Sequence, residues 1–271
     1  MRLWAISDLH VGHEANRRAL LELQPHPGDW LAVVGDVGET ASHLETALDA
    51  LAPKFARVLW TPGNHELWSR GEGPVGEAKY RQMVDVCRAR GVSTPEDPYP
   101  VWPGSPPAAP IVVAPLFVLY DYTFAPDEID PAGAVAWAAA SGVTCADETY
   151  LRPAPYPSRA AWCTARCAIT EERLAALPDG TRTVLLNHFP FRREHAVLPR
   201  IPRFTIWCGT RRTADWHTRF RAVAVVSGHL HIRSTRHLDG VRFEEVSLGY
   251  PSQWDAARGV GAYLRQVLPL S

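Results

Sequence analysis

Three short apolar runs near the start of the chain each break off at a side chain that can bind metal, with helical spacing between them. Residues 3–6 read as a strand that ends at Asp8. Residues 14–23 carry helical spacing, Gly28-Asp29 turns the chain, and 31–34 make a second buried strand ending at Gly35-Asp36. Residues 40–51 fit a helix with Thr40 or Ser42 near its cap, and 57–60 make a third strand that stops at Pro62-Gly63-Asn64-His65. Alternation of this kind predicts an α/β fold. It also predicts where a site lies, because ligands of open α/β sheets collect beyond the carboxyl ends of the strands.

The later chain adds enough strands for two sheets covered by helices. Residues 76–90 read as a helix, 94–110 as a proline-rich surface loop, and 111–120 as a strong strand. An alanine-rich helix is expected at 131–141 and a longer one at 158–177, capped by Ser158. Strands at 183–186 and 222–226 end at Asn187-His188 and Ser227-Gly228-His229. Asp239-Gly240 is the best hairpin turn, between 233–237 and 241–247, and 262–267 offers a last strand. No internal repeat and no clear domain boundary stand out, so one domain spanning 1–271 is expected.

The strand ends share one chemistry. Asp8-Leu9-His10, Gly35-Asp36, Gly63-Asn64-His65-Glu66, Asn187-His188 and Gly228-His229-Leu230-His231 supply mixed nitrogen and oxygen donors. That set suits Mn, Fe or Zn better than Mg or Ca. A phosphate ester resists hydrolysis because its anionic oxygens repel a nucleophile, and a pair of divalent ions removes the obstacle. Such a pair needs one carboxylate that touches both ions, separate ligands on each side, and a proton donor held off the metals. Asp36, alone at its strand end, is the candidate bridge. Asp8 with His10, and His229 with His231, share the i, i+2 relation that points extended residues the same way. Asn64 offers a neutral oxygen, and the neighbouring His65 projects differently and is free to act as general acid. Glu66 reads as a loop or helix-start acid.

In order and chemistry these motifs resemble those of the calcineurin-like metallophosphoesterases, from Asp8 to His231. The resemblance implies a four-layer α/β/β/α sandwich with mixed sheets, carrying a family-specific insertion at about 67–181. By matching position, Asp8, His10, Asp36 and His231 would hold one ion. Asp36, Asn64, His188 and His229 would hold the other, with His65 as the catalytic histidine. The His188 motif begins with Asn187, where many members have glycine. Stretches 4–10, 62–68, 118–124, 155–163, 207–219 and 239–251 are further similar to the actinobacterial phosphopantetheinyl hydrolases. That likeness implies a phosphodiesterase that removes 4′-phosphopantetheine from the serine of acyl carrier proteins. A hydroxide bridging Mn2+ and Fe2+/Fe3+, or Zn2+, would be its nucleophile. The alternative is a small-molecule phosphomonoesterase or phosphodiesterase acting on a nucleotide or pathway intermediate.

Composition bears on the partner. Formal net charge is -1, so nothing draws the chain globally to nucleic acid. No apolar stretch approaches the roughly 20 residues of a membrane span, and no signal peptide is evident, so a cytoplasmic protein is expected. The five cysteines read as buried reduced thiols. Between Arg192 and Arg221 eight arginines face only Glu194 and Asp215, a cluster suited to an acidic carrier protein. Arg192, Arg193, Tyr120 and Trp68 are accordingly candidate substrate contacts.

Overall fold

The computed structural model describes residues 1–270, and among them nine strands form two sheets. In chain order the elements are β1 (Leu3–Ile6), α1 (Glu14–Leu21), β2 (His26–Val34), α2 (Ala41–Leu51), β3 (Phe55–Thr61), α3 (Asn64–Leu67), α4 (Gly76–Arg88), β4 (Ile111–Pro115), α5 (Ala134–Ala139), α6 (Asp147–Tyr150), α7 (Arg159–Ala175), β5 (Arg182–Leu186), α8 (Trp216–Arg219), β6 (Ala222–Ser227), β7 (Ser234–Leu238), β8 (Val241–Glu245) and β9 (Arg265–Leu268). The first sheet runs β3-β2-β1-β9, with only β9 antiparallel. The second runs β4-β5-β6-β8-β7, with only β7 antiparallel.

Side-chain alternation explains the layering. Leu3, Ala5, Ala32, Val34 and Leu59 of the first sheet meet Ile111, Val113, Val184, Leu186, Ala224 and Val226 of the second in a dry seam. The intervening residues, among them Ile6, Leu31, Val33, Trp60, Leu185 and Val225, point the other way and pack with the helices. Strands buried on both faces read as continuous apolar runs, as these do. The result is the four-layer α/β/β/α sandwich. Just past β1 and β8, Ser7 and Ser247 form a parallel bridge that ties the two sheets together at one end. The parallel strands of both sheets therefore deliver their carboxyl ends to a common place.

Thr40 caps α2 by accepting from the His43 N–H at 3.1 Å, and Ser158 caps α7 by accepting from Ala161. Asp239 and Gly240 both have positive φ, as the tight hairpin requires. The five cysteines are free and buried, Cys163 and Cys167 together on α7.

Three elements differ from expectation. Gly28-Asp29 does not end a segment: β2 already begins at His26, and 27–29 form a bulge in its pairing with β3. The Asp29 carboxylate holds that bulge by accepting from the Arg2 N–H at 2.7 Å and the Trp4 indole at 2.8 Å. The strand expected at 111–120 stops at Pro115, because the Asn187 side chain takes over the pairing. It accepts from the Val118 N–H at 2.9 Å and donates to Val118 O at 3.2 Å. At the C-terminus, Val260–Tyr263 is a 3-10 turn, so β9 starts later than 262. The irregular stretch 67–181 supplies α4 to the outer layer of the first sheet and β4 to the edge of the second. No described helix is long and apolar enough to cross a membrane.

Candidate metal centre

The backbone at the strand ends is forced into an unusual shape. Asp8, His10, Asp36, His229 and His231 all have φ between 43° and 73°, the left-handed region that non-glycine residues rarely enter. Strain of this kind costs about 1–3 kcal/mol per residue and persists only where surrounding contacts impose it. Here five such residues turn their side chains to one point. Close backbone approach adds to the demand: a Cβ at Gly63 would overlap the Asp36 carboxylate, and one at Gly228 would overlap Ser7 and Asp8.

Each carboxylate has one oxygen tied to the fold. Asp8 Oδ2 accepts from Ser7 Oγ at 2.6 Å, Ser247 Oγ at 2.8 Å and the His229 N–H at 3.1 Å. Its Oδ1 faces His231 Nε2 at 2.9 Å. Asp36 Oδ1 accepts from the His65 N–H at 3.0 Å, while Oδ2 lies 3.4 Å from His188 Nε2 and 3.8 Å from His65 Nε2. The histidines are set from behind. His188 Nδ1 bonds to Val34 O at 2.9 Å and His231 Nδ1 to Gln253 Oε1 at 2.7 Å, which leaves both Nε2 atoms to the interior.

Three groups of donors result, each with its ligand atoms within 4.8 Å of one another: Asp8, His10 and His231; His10, Asp36 and His65; Asp36, His188 and His229. Asp36 and His10 each belong to two of them. Asn64 stands beside them with its amide nitrogen donating to Asp147 at 3.0 Å, which turns its oxygen inward.

The donors fit divalent cations. Asn64 Oδ1, His188 Nε2 and His229 Nε2 are buried and have no hydrogen-bond partner. His188 and His229 gather with Asp36, so a cation held there would satisfy both nitrogens. The field agrees. Burial works against charge on every group, yet neighbouring histidines outweigh it and hold Asp36 well below the usual carboxylate range. Burial likewise disfavours a charged His188, but Asp36 overcomes it and lifts the imidazole to about 10. The same burial holds His10 and His229 down at about 3, so these two imidazoles are neutral and can offer lone pairs to a cation.

His65 differs from its neighbours. Its ring packs on Trp68 with centroids 3.8 Å apart, and its Nδ1 lies 3.7 Å from Glu39 Oε1. The ring lines two cavities that meet at the centre, one of about 480 Å³ with His10, His13, His43, Glu39 and Arg70, the other of about 320 Å³.

A relative gives this arrangement its family. The chain is 48% identical over 272 residues to the [acyl-carrier-protein] phosphodiesterase PptH of Mycobacterium tuberculosis, spanning 98% of this chain and 83% of that protein. The crystal structure of the phosphopantetheinyl hydrolase PptH from Mycobacterium tuberculosis superposes with a TM-score of 0.92 at 48% identity, covering 99% of this chain and 96% of that one. The calcineurin-like phosphoesterase pattern matches residues 1–129. The chain belongs to the calcineurin-like metallophosphoesterases. As a metallophosphoesterase it is an enzyme, and the pattern's span carries the Asp8, Asp36 and Asn64-His65 loops, while His188, His229 and His231 lie beyond it.

The substrate contacts expected from sequence fare differently. Trp68 lines both cavities of the metallophosphoesterase centre. Tyr120 does not: it is fully buried, and its hydroxyl donates to Asp147 at 2.9 Å, so it supports Asn64 from behind. Arg192 and Arg193 line neither cavity. Arg192 donates to Glu194 and to Ala214 O, and Arg193 lies 3.7 Å from Asp127.

Sequence reasoning missed the supporting groups. Asp147, wholly buried, gathers Asn64, Trp68 and Tyr120 on one carboxylate. Glu66 is the expected helix-start acid but does more: it accepts from the Asp36, Val37 and Gly63 N–H groups and so joins two ligand loops. Burial and the nearby Asp36 push its carboxyl up to about 7. Tyr250 stacks on His10 with centroids 4.5 Å apart. For Glu66, Gln253 and Tyr250 adjacency to a recognised motif was a usable signal. Asp147, in an irregular stretch, had none.

Proposed function

We propose that this metallophosphoesterase hydrolyses the phosphodiester that joins 4′-phosphopantetheine to the serine of an acyl carrier protein. The observation that carries the reading is near-complete likeness, at 48% identity, to a protein named for that reaction. The buried orphan donors support the metal dependence the reaction needs.

Asp8, His10, Asp36 and His231 would hold one ion, and Asp36, Asn64, His188 and His229 the second, with Mn2+ and Fe2+/Fe3+ the proposed pair. When bound, the two ions neutralise the phosphate's anionic oxygens and acidify a water. Water adds to phosphorus, the bond from phosphorus to the serine oxygen breaks, and that oxygen needs a proton. His65 would donate it; its ring borders both cavities and packs on Trp68, and its Nδ1 lies 3.7 Å from Glu39, which supports the reading. The products are apo carrier protein and 4′-phosphopantetheine.

The test is to purify the protein with its native metals and incubate it with a holo carrier protein beside a generic aryl phosphodiester. Mass spectrometry should show the carrier losing phosphopantetheine. Turnover of the aryl ester with an intact holo carrier would overturn the assignment and favour a small-molecule substrate.

A further inference from the structure

The two cavities that meet at the centre differ in chemistry. Trp68, His65 and Tyr250 belong to both and form the wall between them. On one side the lining is polar, with His13, Glu39, His43 and Arg70. On the other it is Leu198, Ile201, Phe204, Leu230 and Cys145, with Thr144 and Gln253 as polar points. This second cavity also contains Asp36, Asn64, His229 and His231, so its floor is the metal site itself. At about 320 Å³ it is at the small end of ligand pockets, with apolar walls standing over a polar floor of candidate metal-binding side chains. Ile201, one of the lining residues, is an apolar side chain left 44% exposed.

We propose that this apolar cavity receives the pantetheine arm of the substrate, with Leu198, Ile201, Phe204 and Leu230 as its specificity-determining walls. The assignment rests on the functional reading above. A pantetheine arm is uncharged, carries a branched methyl pair next to its phosphate, and presents two amides further out. The methyl pair needs apolar surface next to the phosphate, and Leu198, Ile201, Phe204 and Leu230 are aliphatic or aromatic side chains that line this side and not the other. The amides find Thr144 and Gln253. The departing serine, carried on a folded protein, then approaches from the polar side past Glu39 and Arg70, and His65 in the dividing wall is within reach of its oxygen.

Binding to the metal-loaded enzyme tests this by calorimetry with two probes, inorganic phosphate and free 4′-phosphopantetheine. Phosphate samples the metal end alone, so the ratio of the two dissociation constants reports the arm. The wild type should bind 4′-phosphopantetheine more tightly than phosphate. Ile201→Glu should reduce that preference about tenfold, about 1.4 kcal/mol, because a carboxylate replaces apolar wall. Ile201→Leu, which keeps the apolar wall, should hold the preference within about twofold. Equal affinity for both probes in the wild type, or an unchanged ratio in Ile201→Glu, overturns the cavity assignment. Holo carrier cleavage measured alongside separates the two claims: no cleavage by the wild type defeats the functional reading, whereas cleavage with an unchanged ratio defeats only the assignment of the arm.

Discussion

The ligand loops and the arginine run between Arg192 and Arg221 are both dense in charge, and the fold uses them in opposite ways. At the ligand loops the backbone is bent into the left-handed region, and donors from both sheets converge with buried atoms left unpartnered. In the arginine run the charges disperse, and all but the exposed Arg200 find partners. Arg203 donates to Trp137 O, Arg211 to Thr123 O and Asp127, and Arg221 to Thr181 O. Arg219 pairs with Glu171, and Arg212 lies 3.5 Å from Asp121. These guanidinium forks hold irregular segments against one another. A concentration of charge along a chain marks a site only where the fold withholds partners.

The sharpest test of that contrast is the bridge. Asp36→Asn keeps the shape and removes a charge that two of the three donor groups share, so turnover should fall by at least about four orders of magnitude. Metal content, measured by elemental analysis, should fall with it. Retention of two ions per chain at near-normal rate would mean that the convergence at Asp36 is incidental.

His65→Ala comes next. Removing a general acid should slow the chemical step by about 10²- to 10³-fold. Metal content should stay near the wild-type value, because Asp36 keeps His188 and His229 as neighbours. Loss of metal in this variant would make His65 a ligand, which its place in the group with His10 and Asp36 makes a real alternative to test.

A smaller effect is expected one layer out. Asp147→Asn replaces an acceptor for three donors with an amide, which loosens Asn64. Metal affinity or activity should drop by about 10- to 100-fold, the range seen for groups that orient metal ligands. An unchanged affinity would show that Asn64 needs no support.

Asp147 also marks the limit of what the chain reveals on inspection. The candidate ligands are legible because each sits where a regular apolar run ends, and strand termini are visible in a sequence. Their supporters come from irregular segments whose paths depend on tertiary contacts. Asn187 is a case in point: local pattern favours a strand through 111–120, and a side chain from β5's end cuts it short at Pro115. The bulge at 27–29 was hidden for the same reason, since Asp29 acts on Arg2 and Trp4 far back in the chain. Tyr120 is a candidate substrate contact on sequence alone because nothing local records that its hydroxyl bonds to the buried Asp147.

The arginine run supplies a pH test. His195 packs on Phe243, and burial, then Arg236 and Arg192, holds its imidazole down at about 4. An unfolded imidazole titrates near 6.5. The unfolded chain therefore binds more protons between these values, so this contribution is intact above about pH 6.5 and is lost as pH falls toward 4. The ring is only half-buried, so solvent reduces the effect. Urea midpoints at pH 7 and pH 5 should differ more for the wild type than for His195→Gln. Equal differences would mean that His195 is charged in the folded state.

Arg219 should matter least. Its side chain is 48% exposed and that of its partner Glu171 is 34% exposed. Exposed pairs of this kind contribute about 0–1 kcal/mol, so Arg219→Ala should shift the urea midpoint very little. The same variant asks whether the basic face serves the carrier protein. Charges at the rim of an interface act mainly on encounter rate, and their effect disappears as salt rises. Holo carrier turnover at low ionic strength should therefore change by less than about twofold in Arg219→Ala, because Glu171 already occupies the guanidinium. A tenfold loss at low salt that vanishes at high salt, with aryl ester turnover unaffected, would show that an acidic partner displaces Glu171. The arginine run would then be a docking face, and the contrast with the ligand loops would fail at its weakest point.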